Sequence, residues 1–370
     1  VGTPNNGVIN YTVENAASNL NLIGNPYPSA IDIDAFLNDA SNAAVVNGTI
    51  YLWTHNTLPS NQIPGNWTYN YTSDDYAIYN STGAVSTGSA LSSGINTTTP
   101  NGKIAAGQSF LIKAITTGTV KFNNSMRLID NNNRFFRTID PVIQNPTKSR
   151  IWLNLTNSEG VFKQLLVGYI PGATNEWDSR FDGETLNGNS FVDFYSLGAS
   201  DKMLSIHARA LPFDQQDLVP LGFKATVAGT YTIGLDHFDG LFENQAVYLE
   251  DKLLQIVHDL KTGSYDFASE VGSFNNRFQL RYTNQSLANP SFDFTADSII
   301  IYKQNEQLVI NAGKNVLSKV EVFDTRGRLI AAKSNINNAE VRIAAGVSNE
   351  VLLVRLYSKN GGMVTKKVLY

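Results

Sequence analysis

The sequence predicts an all-β protein: antiparallel β-sandwich or jelly-roll modules followed by a small Ig-like β-sandwich. Three observations carry that expectation. Asn, Thr, Ser and Gly are abundant while Glu-, Lys- and Ala-rich runs are scarce, so local preference favours strands and turns. Apolar residues recur with a period of two over short runs, as in Arg277-Phe-Gln-Leu-Arg-Tyr282, where Phe278, Leu280 and Tyr282 share one face. Gly, Pro and Asn clusters interrupt these runs at the short spacing an antiparallel sandwich needs. At 370 residues, 42% apolar and 16% charged, the chain is long enough for more than one core.

Residues 1–146 read as a first sandwich module with one short helix. Asn21-Leu-Ile-Gly-Asn-Pro-Tyr-Pro28 is a strand end running into a turn, because Gly and two prolines interrupt pairing. Ile31 to Ala40 is expected to be helical, with Ser29 or Asp32 as N-cap and Phe36 and Leu37 facing inward. Strands are expected at 48–53, 67–72, 108–113 and 119–122, and 81–101 reads as a long polar loop. Asp140-Pro141 and Asn145-Pro146 mark a boundary, since a residue before proline is pushed to extended geometry. Residues 147–283 read as a jelly-roll-like module of about eight strands, and 284–296 as a linker.

The last module, 297–370, carries strands near 298–303, 307–311, 319–323, 328–332, 351–357 and 364–369. Gly327 suits the left-handed position of a hairpin loop, and Asn360-Gly361 reads as a tight turn with two positive φ angles. This module differs in charge from the rest. Residues 298–370 hold 11 Lys and Arg against 5 Asp and Glu, although the whole chain is −4. Such asymmetry marks separate units with different partners. The basic residues alternate along strands rather than clustering with stacking aromatics, which argues against nucleic acid. No apolar run reaches the roughly 18 residues that span a bilayer. The chain opens at Val1, and a targeting segment is expected upstream.

Catalytic signatures are absent from the sequence. His55, His207, His237 and His258 form no HExxH or other close ligand pair, and no GxSxG elbow or Gly-rich nucleotide loop occurs. Acids that a glycosidase would need in pairs are present as Asp32 and Asp34, Asp74 and Asp75, Asp236 and Asp239, and Asp266 and Glu270. Turn and cap roles explain them. Asp32-Ile-Asp34 followed by Asp39 superficially resembles a calcium loop but lacks its Gly and terminal Glu spacing, so a loop-bound calcium is a minor alternative and no cofactor is expected. Trp67, Tyr69 and Tyr71 would project from one strand face, either as core or as a platform for stacking on sugar rings. Sequons at Asn47, Asn66 and Asn70 are weak evidence of glycosylation in so Asn-rich a chain.

The tail holds a recognisable pattern. Val320-Glu-Val-Phe-Asp-Thr-Arg-Gly-Arg-Leu-Ile330, then Gly346, Val351-Leu-Leu-Val-Arg-Leu-Tyr357, Asn360-Gly-Gly362 and Val364-Thr-Lys-Lys-Val-Leu-Tyr370 resemble the C-terminal sorting domain of type IX secretion cargo. The resemblance rests on Val320, Val322, Asp324, Gly327, Arg328, Gly346, Gly361, Lys366, Lys367 and Tyr370 over about 70 residues. Gly346 is followed by an intervening Val-Ser-Asn-Glu350, which marks one of the less common variants of that signal. In the body, 21–29, 107–110 and the run from Asp251 to Phe278 look like modules of large secreted or surface proteins of flavobacteria and their relatives.

That resemblance implies a non-enzymatic chain, exported across the outer membrane and recognised through 297–370 by the type IX translocon and its shuttle barrel. Cargo of this kind is released or fixed to surface lipopolysaccharide. Two alternatives stand beside it: a carbohydrate-binding or adhesin module, and a glycan-active hydrolase.

Overall fold

The computed structural model describes residues 2–16, 18–54, 58–61, 67–71, 75–87, 99–129, 147–158, 161–186, 192–284, 294–346 and 350–370. The protein is all-β, as expected, with short antiparallel strands and two single-turn helices. The expected boundary at 140–146, most of the 284–296 linker, the centre of the 81–101 loop, His55, Asn66 and Asp74 lie outside the described residues. The chain forms two compact units. One comprises Val1–Leu155, Gly160–Asp214 and Leu235–Gln245; the other comprises Thr156–Glu159, Gln215–Gly234 and Ala246–Tyr370.

In the first unit, Leu20–Gly24, Ser109–Ala114, Val46–Trp53, Tyr76–Asn80 and Ala84–Val85 form one antiparallel sheet in that order. The expected helix is instead two pieces, Ile33–Leu37 and Ala40–Ala43. Asp32 caps the first by accepting from Asp34 N (2.9 Å). Asp39, which one longer helix would have buried in its interior, caps the second by accepting from Ser41 N (3.0 Å). Phe36 faces inward as expected and stacks on Phe122 at 4.6 Å, in a core completed by Ile50, Phe110 and Ile112. Burying each such side chain is worth about 1.5–3 kcal/mol before entropy is counted.

Residues 67–71, the described part of the expected 67–72 strand, do not form one. Only Asn70 makes an isolated bridge, to Ser60. Its amide folds back instead, accepting from Trp67 N (3.1 Å) and donating to Trp67 O (2.7 Å). Asparagine thus closes a local turn that outcompetes ladder pairing, an option its short polar side chain always offers. A second departure is a parallel pair within this unit, Phe162–Tyr169 against Met203–Arg209, with Leu166 opposite Ile206.

In the second unit, Ile256–Asp259, Tyr248–Asp251, Gly272–Arg281 and Val219–Ala225 pair antiparallel in that order, and Gly229–Ile233 pairs Tyr265–Ser269. Phe223, Phe267 and Phe278 meet at 4.7–5.6 Å in its core. The C-terminal sandwich has two sheets: Ile300–Gln304, Gln307–Asn311 and Glu340–Ile343, then Leu329–Asn338, Leu317–Asp324, Val351–Ser358 and Met363–Leu369. Between them lies a separate core that includes Ile301, Leu308, Ile310, Val320, Val322, Leu352, Val354 and Leu356. No helix among the described residues is long and apolar enough to cross a membrane.

Candidate functional site

The residues that carry the sorting-domain resemblance fall into two groups. Val320 and Val322 are fully buried core. Asp324 builds the hairpin: its Oδ1 accepts from Arg326 N and Arg328 N (both 2.9 Å), and its carbonyl accepts from Gly327 N (3.0 Å). The backbone amide of Arg328, with that of Arg326 and both guanidinium groups, holds the Asp324 carboxyl below the usual carboxylate range. Gly327 sits at φ 84°, where a side chain would be strained.

The hairpin at 358–362 repeats this design. Ser358 Oγ accepts from Gly362 N (2.9 Å), and Gly361 at φ 85° donates to Ser358 O (3.3 Å). Asn360 does not take positive φ, so the expected turn with two left-handed residues is replaced by one with Gly361 alone. Gly346 is left-handed too, at φ 66°. Tyr370 closes the end of the sandwich, buried, with its hydroxyl donating to Glu306 O (2.6 Å). These residues make the fold.

The second group makes a surface. The ladder registers align Leu329, Phe323, Leu353 and Lys367 across the four-stranded sheet, then Glu321, Arg355 and Thr365, then Lys319, Tyr357 and Met363. All lie on the face opposite the core. A solvated sheet face is ordinarily polar. This one holds Phe323, Leu353 and Tyr357 half-buried, with Leu329, Met363 and Leu369 51–73% exposed.

Its cations lie over the rings: Arg355 is 5.0 Å from the Phe323 centroid and Lys319 is 5.3 Å from that of Tyr357. Arg355 Nε is buried without a hydrogen-bond partner. Lys366 and Lys367 alternate as strand neighbours must. Lys367 is exposed on the outer face, whereas Lys366 turns inward and donates to Glu270 Oε1 (2.9 Å) and Ile299 O (2.7 Å). The basic residues of this face were visible in the sequence; which apolar residues accompany them was not, because both faces of Val351–Tyr357 are apolar.

Trp67, Tyr69 and Tyr71 are solvent-facing, at 81%, 62% and 54% exposure, which excludes the core reading for all three. Tyr71 meets Trp53 edge-on at 5.2 Å. Asn47 and Asn70 are buried, and their side chains hydrogen-bond to backbone, so neither is placed to accept a glycan.

The candidate acids and histidines have local partners. Asp32 pairs with Lys103 (2.6 Å), Asp34 accepts from Tyr79 OH (2.8 Å), Asp239 pairs with Arg150 (2.5 Å) and Asp266 accepts from Thr232 Oγ1 (2.6 Å). Among the described residues no three His, Cys, Asp or Glu gather as a metal site. His207 Nδ1 lies 2.9 Å from Ser196 Oγ, a nucleophile–base contact that spacing did not reveal. Both residues are buried, at 1% and 0% exposure, so no substrate reaches them.

His237 stacks on Trp152 at 4.0 Å and bonds Asp236 through Nδ1 (2.6 Å), while Asn154 and Gln164 also donate to Asp236. The His237 bond, chiefly, holds Asp236 below the usual range. A depressed acid stabilises the fold above its unfolded pKa, about 3.9, and loses that contribution as pH falls through the folded value. His237→Ala is therefore expected to narrow the loss of stability below about pH 4, read by urea denaturation at pH 3 and pH 6. An unchanged difference between the two pH values would contradict this.

Residues 1–282 match the family described as Domain of unknown function (DUF8693), and residues 287–370 match Domain of unknown function (DUF8694). No curated protein matches the chain. Among solved structures, the 47-kilodalton lipoprotein Tp47 of Treponema pallidum aligns at 12% identity over 88% of this chain and 86% of its own. The TM-score is 0.17, too low for any shared architecture to be argued.

Proposed function

The chain belongs to the DUF8693 family, and from that premise we propose that it is the binding body of an exported protein, with residues 297–370 acting as a non-enzymatic sorting domain for type IX secretion. The partner is the outer-membrane translocon with its shuttle barrel, and the destination is the cell surface or the medium. The observation that carries the reading is the outer face of the four-stranded sheet. Phe323, Leu353 and Tyr357 lie there among Lys319, Arg355 and Lys367, where a free-standing sandwich needs only polar groups. A surface of that kind suits a protein partner with a mixed apolar and acidic docking face.

The test fuses residues 297–370, which have a core of their own, to an exported reporter in a host with the type IX machinery. The fusion is expected to reach the surface, and Arg355→Glu with Lys367→Glu is expected to leave it periplasmic. Periplasmic retention of the unmutated fusion and of the whole chain would sink the sorting reading.

A second reading concerns the body and is favoured by the exposed Trp67, Tyr69 and Tyr71: a carbohydrate-binding or adhesive module. The two readings are compatible, since export delivers such a module to where polysaccharide is.

A further inference from the structure

The second unit contains an open cleft of about 450 Å3 that neither reading uses. Its size lies within the range of small-ligand sites, about 300–1,000 Å3, and suits one or two sugar rings. The strand Gly272–Arg281 lines it with Phe274, Asn275 and Asn276, and Lys252, Asp297 and Lys366 complete it.

Two of its groups are held rigidly. Phe274 stacks on the buried Phe223 at 4.8 Å and 20°, and remains half-exposed where it meets the cleft. Arg277 also lines the cleft. Its side chain is only 4% exposed, fixed by Asp251 (2.9 Å) and Ala268 O (2.8 Å) between the rings of Phe267 and Phe278. Rigid partners lose little entropy on binding.

The charges balance. Lys252, Arg277 and Lys366 face Glu270, Asp297 and the Asp251 behind Arg277, so the cleft has no net pull on an ion. An apolar ligand is excluded by the same groups, which it would desolvate without pairing. The Lys252 ammonium and the Asp297 carboxylate have no hydrogen-bond or ion-pair partner among the described residues, leaving one donor and one acceptor open beside the exposed amide of Asn276.

A ligand that donates and accepts at once, carries no net charge and offers an apolar face to a ring is a neutral sugar. We propose that this cleft binds neutral saccharide, with Phe274 as the stacking face, Lys252 and Asn276 donating, and Asp297 accepting. Glu270 also lines the cleft, but its Oε1 already accepts from Lys366 Nζ and Ile301 N, which fits binding rather than turnover.

The whole chain is titrated calorimetrically with cellotetraose, xylotetraose, maltotetraose and chitotetraose, with tetragalacturonate as the charged control. At least one neutral tetramer is expected to bind with Kd of about 1 mM or below. Lys252→Ala and Asn276→Ala, at exposed side chains, should each weaken it about tenfold, with circular dichroism unchanged. Lys359→Ala, at an exposed side chain outside the cleft, should leave it unaltered. No binding by any neutral tetramer at about ten times that concentration, or tighter binding of tetragalacturonate, overturns the proposal. So does binding lost in Trp67→Ala but kept in Lys252→Ala, which would place the sugar on the aromatic loop. Release of reducing ends would overturn the binding-only role.

Discussion

Asp251→Ala is expected to cost the second unit about 3–5 kcal/mol of unfolding free energy. The Asp251 side chain is fully buried and takes six hydrogen bonds from four residues. Arg277 gives three, from Nε to both oxygens (3.3 and 3.2 Å) and from Nη2 (2.9 Å), and Tyr265 OH, Leu253 N and Leu254 N give one each (3.1, 3.0 and 3.1 Å). Removing the carboxylate strands the Arg277 guanidinium between Phe267 and Phe278, with Ala268 O as its remaining partner.

An uncompensated buried charge costs far more than the pair contributed, which is why truncating one member is severe. Asp251→Asn keeps an acceptor but loses the charge, and should fall between wild type and Asp251→Ala. Burial and the Asp251 charge together push the Tyr265 hydroxyl far up, so it remains a neutral donor throughout. All four tryptophans, at 53, 67, 152 and 177, belong to the first unit. Tryptophan fluorescence would miss the transition, and far-UV circular dichroism in urea is the measurement to use. A loss under about 1 kcal/mol would show that the pair is dispensable.

That pair also shows where sequence reasoning stops. Asp251 and Arg277 lie 26 positions apart and meet only because Asp251 falls opposite Phe278 in the ladder. Nothing in spacing announces a register between strands that are not hairpin neighbours. Local chemistry was legible: Asp32 as one of two N-cap candidates, Gly327 as the left-handed hairpin residue, and the burial of Phe278 and Leu280. Local competition was not. The alternating Trp67, Tyr69 and Tyr71 looked like a strand, but the Asn70 side chain satisfied the backbone first.

The candidate docking face was half-legible. In Val351-Leu-Leu-Val-Arg-Leu-Tyr357 both faces are apolar, so a period of two cannot say which one is core. Burial decides for Leu352, Val354 and Leu356, and leaves Leu353, Arg355 and Tyr357 outward. The apolar excess that blurred the pattern is the same excess that gives the face something to bind.

Trp67→Ala with Tyr69→Ala is expected to lower retention on insoluble polysaccharide about a hundredfold, while stability changes by less than about 0.5 kcal/mol. The magnitude follows from two rings. Each aromatic contact of this kind is worth about 1–1.5 kcal/mol, or roughly tenfold in affinity. The small effect on stability follows from exposure: at 81% and 62%, these side chains have little packing to lose. Tyr71→Ala is a poorer probe, because Tyr71 packs edge-on against Trp53 and its loss would disturb a second ring. Affinity electrophoresis in gels containing xylan, glucan or chitosan reads the effect directly. Unchanged mobility of the double variant in a gel that retards the wild type would place binding elsewhere, and the calorimetric variants at Lys252 and Asn276 would then show whether the cleft accounts for it.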